Sequence, residues 1–181
     1  MDCSILTRDL NQSNGPEPNR RSAAVLTVSD GVSRGYREDA SGAALVELLE
    51  SEGFAVTGRK VVQDDAAQIG KAIRELAAQV DLVVTTGGTG LGPRDVTPEA
   101  TRAVLEREAP GLVMLMLSEA IRKNPMAALS RAVAGTYGAC LVVNLPGSPR
   151  GAVENLTFLL PILPHALTLL AGDTEHRPPP A

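Results

Sequence analysis

Short β-branched runs alternating with helix-periodic segments constrain this chain more than any other feature, because a period that switches repeatedly between 2 and 3.6 dictates a layered α/β fold. Ala23 to Val28, Phe54 to Val62, Asp81 to Thr86 and Leu141 to Val143 read as strands. Helical patterns fall between and after them. One begins at Ser41 and carries Leu45, Val46, Leu48 and Leu49; a second carries Ile69, Ile73 and Leu76; a third follows Thr97 with Ala100, Val104 and Leu105. Gly53 stops the first, and Asp64 or Asp65 caps the second. Gly111 to Lys123, Ala152 to Leu160 and Leu163 to Leu170 complete the helical set. The expected architecture is a three-layer αβα domain on a mostly parallel sheet. Right-handed crossovers then bring the strand ends that carry Asp30, Asp64, Gly87 and Asn144 to one edge. Val113 to Leu117 is continuously apolar, so that helix is expected to be buried on more than one side, with a second copy of the chain as a candidate partner.

The sharpest local signal is the run from Thr85 to Glu99, in which an apolar strand delivers the backbone into Gly87, Gly88, Gly90 and Gly92 and then into Arg94-Asp95-Val96-Thr97-Pro98-Glu99. Glycines beyond a strand's carboxyl end let backbone N–H groups crowd round an anion with no Cβ in the way. Thr97 as cap and Pro98 at the first helical position would set this turn at a helix start. The glycine spacing and the missing Gly-Lys-Ser/Thr ending fit neither common nucleotide fingerprint. Alone, such a run serves equally as a tight strand-to-helix turn. Asp30, Asp64 and Asp95 each follow a strand end, so three carboxylates are expected beside the glycines, where they would hold Mg²⁺ together with phosphate oxygens. Taken singly, Asp64 is also a plain helix cap and Asp30 a turn residue.

Two further segments supply polar groups. Asn144-Leu145-Pro146-Gly147-Ser148-Pro149 offers glycine N–H and a hydroxyl at a strand end, and Leu129-Ser130-Arg131-Ala132 offers a hydroxyl and a guanidinium matched to phosphate. As bland readings, the first is a structural turn and Arg131 a surface arginine. His165 and His176 accompany no candidate nucleophile, so histidine-based catalysis is not expected. A net charge of −4, with two tyrosines, two phenylalanines and no tryptophan, argues against nucleic acid and anionic membranes as partners. Cys3 and Cys140 sit in unrelated contexts and do not suggest a disulfide, which suits a reducing cytoplasm. No apolar run is a signal peptide or a membrane span, since Pro161, Pro164 and His165 interrupt the longest. The expected organisation is a flexible tail over 1–21, one domain over 22–172 and a second tail over 173–181.

Five ordered motifs carry a resemblance: Thr27-Val-Ser-Asp30, Asp39-Ala-Ser-Gly42, the glycine run ending in Arg94-Asp-Val-Thr-Pro-Glu99, Leu129-Ser-Arg-Ala-Val-Ala-Gly135 and Asn144-Leu-Pro-Gly-Ser-Pro149. With them the chain resembles molybdenum-cofactor biosynthesis proteins of the Mog/MoaB type over about residues 22 to 171. The resemblance implies transfer of AMP from ATP to the terminal phosphate of molybdopterin, with release of pyrophosphate and a need for Mg²⁺. The product would pass to a molybdate-inserting partner enzyme. Asp64 and Asp95 match the family's two functionally important aspartates, with Mg²⁺ between them and the phosphates. Thr86, Gly87, Gly88, Thr89 and Gly90 would meet the nucleotide phosphates. Ser29, Asp30, Ser130, Arg131, Asn144, Pro146, Gly147 and Ser148 would line the pterin-nucleotide groove. A homotrimer, or a hexamer, is implied. Where members often carry a basic residue, this chain has Gly135-Thr136-Tyr137-Gly138, so a pterin or phosphate contact is expected to be missing there. That departure keeps a MoaB-type role in play, including a protein that only holds or delivers the pterin.

Overall fold

The computed structural model describes residues 20–173. The sheet begins with β1 (Ser22–Val28), which leads through one helical turn, α1 (Asp30–Ser33), into α2 (Ala40–Ser51) and β2 (Ala55–Val62). Next come α3 (Ala66–Ala77), β3 (Leu82–Thr86), α4 (Thr97–Arg102), β4 (Arg107–Glu108) and α5 (Pro110–Lys123). A 3₁₀ turn (Pro125–Leu129) precedes β5 (Ala134–Tyr137), β6 (Cys140–Leu145), α6 (Pro149–Leu159) and α7 (Leu163–Leu170). Strand order is β2-β1-β3-β6-β5-β4, with the first four parallel and the last two antiparallel. The chain winds from β1 outward to β2, then back across β1 to β3. That reversal opens a crevice beyond the carboxyl ends of β1 and β3, where open α/β sheets bind ligands.

Strand alternation builds two cores. Ala23 and Val25 of β1, Leu82 and Val84 of β3, and Leu141 and Val143 of β6 pack with Leu45 and Leu49 of α2, Leu156 of α6 and Leu163 and Leu167 of α7. On the other face Leu26, Val83 and Val142 meet Ile69 and Ile73 of α3 and Ala100 of α4. Val25, Val84 and Val143 stand in register across the three central strands. Each large aliphatic side chain buried this way contributes about 1.5–3 kcal/mol.

Helix boundaries follow side-chain chemistry. The Asp39 carboxylate caps α2 by accepting from Gly42 N (2.9 Å), and Gly53, at φ +85°, ends it with Phe54 N donating to Leu49 O (2.9 Å). Of the two aspartates that could cap α3, Asp65 does so, accepting from Gln68 N at 2.9 Å, which leaves Asp64 for other work.

Several expectations are corrected. Thr97 is the first residue of α4 and not its cap; Val96 occupies the cap position with no side-chain bond. The segment Gly31 to Asp39 is not all loop, because Ser29 Oγ accepts from Val32 N (3.3 Å) and caps the turn α1. Within the chain, α5 buries one side only: Met116 and Ala120 are covered, while Met114 is 70% exposed. Arg20 and Arg21 are tied to the fold, Arg20 donating to Gly53 O (3.1 Å) and Arg21 to Thr168 Oγ1 (3.2 Å). The remainder of both tails, with Cys3 and His176, lies outside the described residues. Cys140, the first residue of β6, is buried in the core, and burial pushes its thiol up to about 12. Among the described residues no single helix is long and apolar enough to cross a membrane; α6 and α7 bend by 68° and bury Leu156, Leu159, Leu163 and Leu167.

Candidate functional site

The glycine run closes the carboxyl end of β3 as a backbone cradle. Gly87 (φ +101°) and Gly88 (φ +62°) both lie in the left-handed region, and a Cβ on Gly87 would overlap Val28 O. Thr97 fixes the turn from beneath: its hydroxyl donates to Gly87 O (2.9 Å) and its N–H to Gly88 O (3.1 Å). The N–H groups of Gly88, Thr89 and Gly90 donate to no protein acceptor among the described residues, nor do those of Gly147 and Ser148 in the turn after β6. The two turns touch, since a Cβ on Gly147 would lie 3.1 Å from Gly87 Cα. Thr86 links them by donating to Pro146 O at 2.7 Å. Backbone N–H groups left open in this way are suited to an anion.

The carboxylates flank the cradle. Asp64 Oδ2 accepts from Asp30 N (2.8 Å), and Asp95 Oδ2 accepts from Gly92 N (2.8 Å), so each keeps a second oxygen free of protein partners among the described residues. Glycine at 90 and 92 leaves room for the Asp95 carboxylate, since a Cβ on Gly90 or Gly92 would fall 2.9 or 2.8 Å from its Oδ2. Asp30 has another role. Its carboxylate accepts from Arg94 Nη2 (2.8 Å) and Nε (3.2 Å), joining the β1 end to the glycine loop. Partial desolvation pushes the Asp30 carboxyl up, but the bonds from Arg94 and the Asp64 N–H, with the charges of Arg94 and Arg34, outweigh it and hold it below the ordinary range. The expected trio of carboxylates therefore does not form. Among the described residues no three His, Cys, Asp or Glu side chains gather to hold a metal, and Asp30 is paired with Arg94.

Two other expected groove residues point elsewhere. Asn144 is fully buried, its Nδ2 donating to Thr85 Oγ1 (3.0 Å) and Thr101 Oγ1 (2.9 Å) and its Oδ1 accepting from Val133 N (3.2 Å). It knits β6 to β3 and α4 and presents nothing to a ligand. Arg131 turns its guanidinium into the glycine loop, donating to Gly90 O, Asp95 O and the Glu99 carboxylate. Tyr137 sits at the β5–β6 hairpin beside Asp81, at the opposite sheet edge, so within this chain its identity removes no groove contact.

The remaining residues line a groove in two compartments that share Gly88, Asp95, Gly147 and Ser148. The larger, about 590 Å³, carries charges of both signs, with Arg37 and Arg94 beside Glu38, Asp64 and Asp95, and with Ser29, Thr86 and Gly87 also in its wall. Arg37 donates to Ser29 Oγ at 3.1 Å. The smaller, about 420 Å³, holds Thr89, Gly90, Ser130 and Pro146 against Met126, Leu129 and Asn155. Met126 and Asn155 carry no sequence signal of their own, since each reads as an ordinary residue of its element.

Crevice, open N–H groups and flanking carboxylates define a doubly wound α/β domain with its candidate ligand site at the topological switch point. Residues 24–165 match the family described as "Probable molybdopterin binding domain". The chain belongs to that family, the molybdenum-cofactor biosynthesis proteins of the Mog/MoaB type. It is 39% identical over 155 residues to a molybdopterin adenylyltransferase of Helicobacter pylori, covering 82% of this chain and 87% of that one. It is 41% identical over 155 residues to the molybdenum cofactor synthesis protein cinnamon of Drosophila melanogaster; that match covers 83% of this chain but spans only about a quarter (26%) of the fly protein. In structure it is similar to the molybdopterin biosynthesis enzyme MoaB of Thermus thermophilus, with a TM-score of 0.79 and 51% identity, covering 84% of this chain and 97% of that one.

Proposed function

We propose that this chain transfers AMP from ATP to molybdopterin. The observation that carries the reading is the two-compartment groove meeting at one backbone cradle, because a transfer between two phosphorylated substrates needs two sites that share a reacting centre. The compartment with Arg37 and Arg94, where Asp64 and Asp95 could share a cation with the phosphates, suits the polyphosphate of ATP. The compartment walled by Met126, Leu129 and Asn155 suits a planar heterocycle with polar edges. A terminal phosphate oxygen of the pterin attacks the α-phosphorus, the bond from that phosphorus to the bridging oxygen breaks, and pyrophosphate leaves. The protein's part is positioning and charge stabilisation, with the N–H groups of Gly88, Thr89 and Gly90 facing the developing negative charge.

Mg²⁺ fits the donor set. Asp64 and Asp95 each retain one uncommitted carboxylate oxygen, and two carboxylates with phosphate oxygens and water are the usual environment of this ion. When bound there it would neutralise phosphate charge. The relative's name, molybdopterin adenylyltransferase, supports the reaction class. On this reading the adenylylated product passes to a molybdate-inserting enzyme in the cytoplasm, and the chain assembles as a homotrimer or hexamer, for which the exposed Met114 and Ile121 of α5 offer apolar surface.

The test is pyrophosphate release from ATP and molybdopterin with Mg²⁺. Wild type should turn over, and Asp95→Asn should lose at least about a hundredfold in rate, the scale of one charged group acting in a transition state. Tight pterin binding with no pyrophosphate release would instead establish a holding or delivery role.

A further inference from the structure

Arg131 stands beside the cradle, and each nitrogen of its guanidinium donates to an acceptor of the loop or of α4. Its backbone N–H donates to Thr89 O (2.9 Å), Nε to Gly90 O (2.6 Å) and Nη2 to Asp95 O (2.5 Å), while Nη1 meets the Glu99 carboxylate. These acceptors lie at both ends of the Gly90–Asp95 loop and in the first turn of α4. One planar fork therefore spans the whole loop, which a lysine ammonium on a single flexible stem cannot do.

The consequence follows from peptide planarity. In a trans peptide the carbonyl of one residue and the N–H of the next point in opposite directions. Whatever holds a carbonyl back therefore aims the following N–H forward. Thr97 holds Gly87 O and Gly88 O, and so aims the N–H groups of Gly88 and Thr89. The Arg131 backbone holds Thr89 O and so aims the Gly90 N–H, while its guanidinium fixes Gly90 O and Asp95 O on the same side. The guanidinium charge is already matched by Glu99. Desolvation pushes the Glu99 carboxyl up, but its own backbone N–H and Arg131 outweigh that and hold it below the ordinary range.

We infer that Arg131 is a positioning residue: it binds no phosphate itself, and instead its backbone N–H aims the Gly90 N–H through Thr89 O while its guanidinium pins both ends of the Gly90–Asp95 loop, holding that loop and Asp95 in the arrangement the anion cradle needs. The inference rests on the phosphate-binding reading of the groove and says which residue preorganises it.

The experiment uses the full chain in two arms. In the first, amide hydrogen exchange is followed without ligand in wild type, Arg131→Ala and Arg131→Lys, with melting curves to verify folding. Exchange at Gly92, Asp95 and Thr97 should quicken in both variants while β3 stays protected; unchanged exchange in Arg131→Ala overturns the inference. In the second, calorimetry measures inorganic tripolyphosphate binding. Arg131→Ala should weaken it by about tenfold to a hundredfold, the worth of hydrogen bonds from a charged group. Methylguanidinium should restore part of the loss in Arg131→Ala but none in Arg131→Lys. Wild-type affinity in Arg131→Lys would mean a point charge suffices, and would overturn the inference in favour of direct phosphate contact. Failure of wild type to bind tripolyphosphate would refute the phosphate reading of the groove, and the exchange arm would still decide the role of Arg131.

Discussion

Asn144→Ala separates a core role from a ligand role at a residue whose type and position suggest both. The side chain is fully buried and makes three hydrogen bonds, two donated to threonine hydroxyls and one accepted from Val133 N, itself buried. Truncation leaves the Val133 N–H without an acceptor, which costs about 1–3 kcal/mol. Thr101 keeps its bond to Thr97 O (2.8 Å), but Thr85 Oγ1 loses its amide donor, and a small cavity opens between β6 and α4. The combined loss should be about 3 kcal/mol, or roughly 6–12 °C in melting temperature for a domain of this size. Urea denaturation reads the stability, and tripolyphosphate calorimetry at a temperature where the variant is folded reads the groove. The expected result is a lowered midpoint with binding within about twofold of wild type, since a difference of that size is under 0.5 kcal/mol. An unchanged midpoint with binding abolished would refute the reasoning, because it would mean that the amide faces the ligand.

Gly87→Ala should destabilise the chain and also abolish anion binding, since the added Cβ meets Val28 O at a φ of +101°; a variant that melts and binds like wild type would show that the turn is not held as described. Asp30 should titrate below its ordinary value of 3.8 when followed by carboxyl NMR, and Arg94→Ala should raise its midpoint. A depressed carboxyl contributes stability above the unfolded value and loses it as pH falls through the folded one, so the Asp30–Arg94 link should weaken below pH 3.8; a wild-type midpoint at or above 3.8 would contradict the pairing.

The central strands are legible in sequence because β1, β3 and β6 are short, uncharged runs rich in Val with Leu, Thr or Ala, and a run buried on both faces has few other solutions. The antiparallel edge is not. Arg107 and Glu108 of β4 carry no apolar signal, and Ala134 and Gly135 of β5 are too small to show alternation; their pairing is decided by backbone bonds such as Ala109 N to Ala134 O (2.7 Å). The one clue is Gly138, at the first position of a two-residue hairpin loop between Tyr137 and Cys140. At the site, Asp64 and the first glycines follow strand ends, which the sheet fixes, and the loop after β3 carries Asp95 into the same groove. Motif spacing cannot say which way a polar side chain turns. Asn144 shares its face of β6 with Cys140 and Val142, so a period of two sends it inward. Arg131 offers no periodicity to read, and only the positions of the loop carbonyls reveal its orientation.

The ends of the sheet bear on solubility as much as on topology. A six-stranded sheet has two free margins, each a row of unpaired peptide groups that could recruit a strand from another molecule. At one margin β4 is only two residues long, both of them charged, which is too short a template to extend. At the other, the eight-residue β2 carries Arg59 and Lys60, tied back by ion pairs to Asp39 and Glu75, and its register against β1 slips between Ala23 and Ala24. Charge and irregularity at one border and brevity at the other discourage growth into fibrils, so the chain can keep an open parallel sheet with a binding crevice without closing it into a barrel.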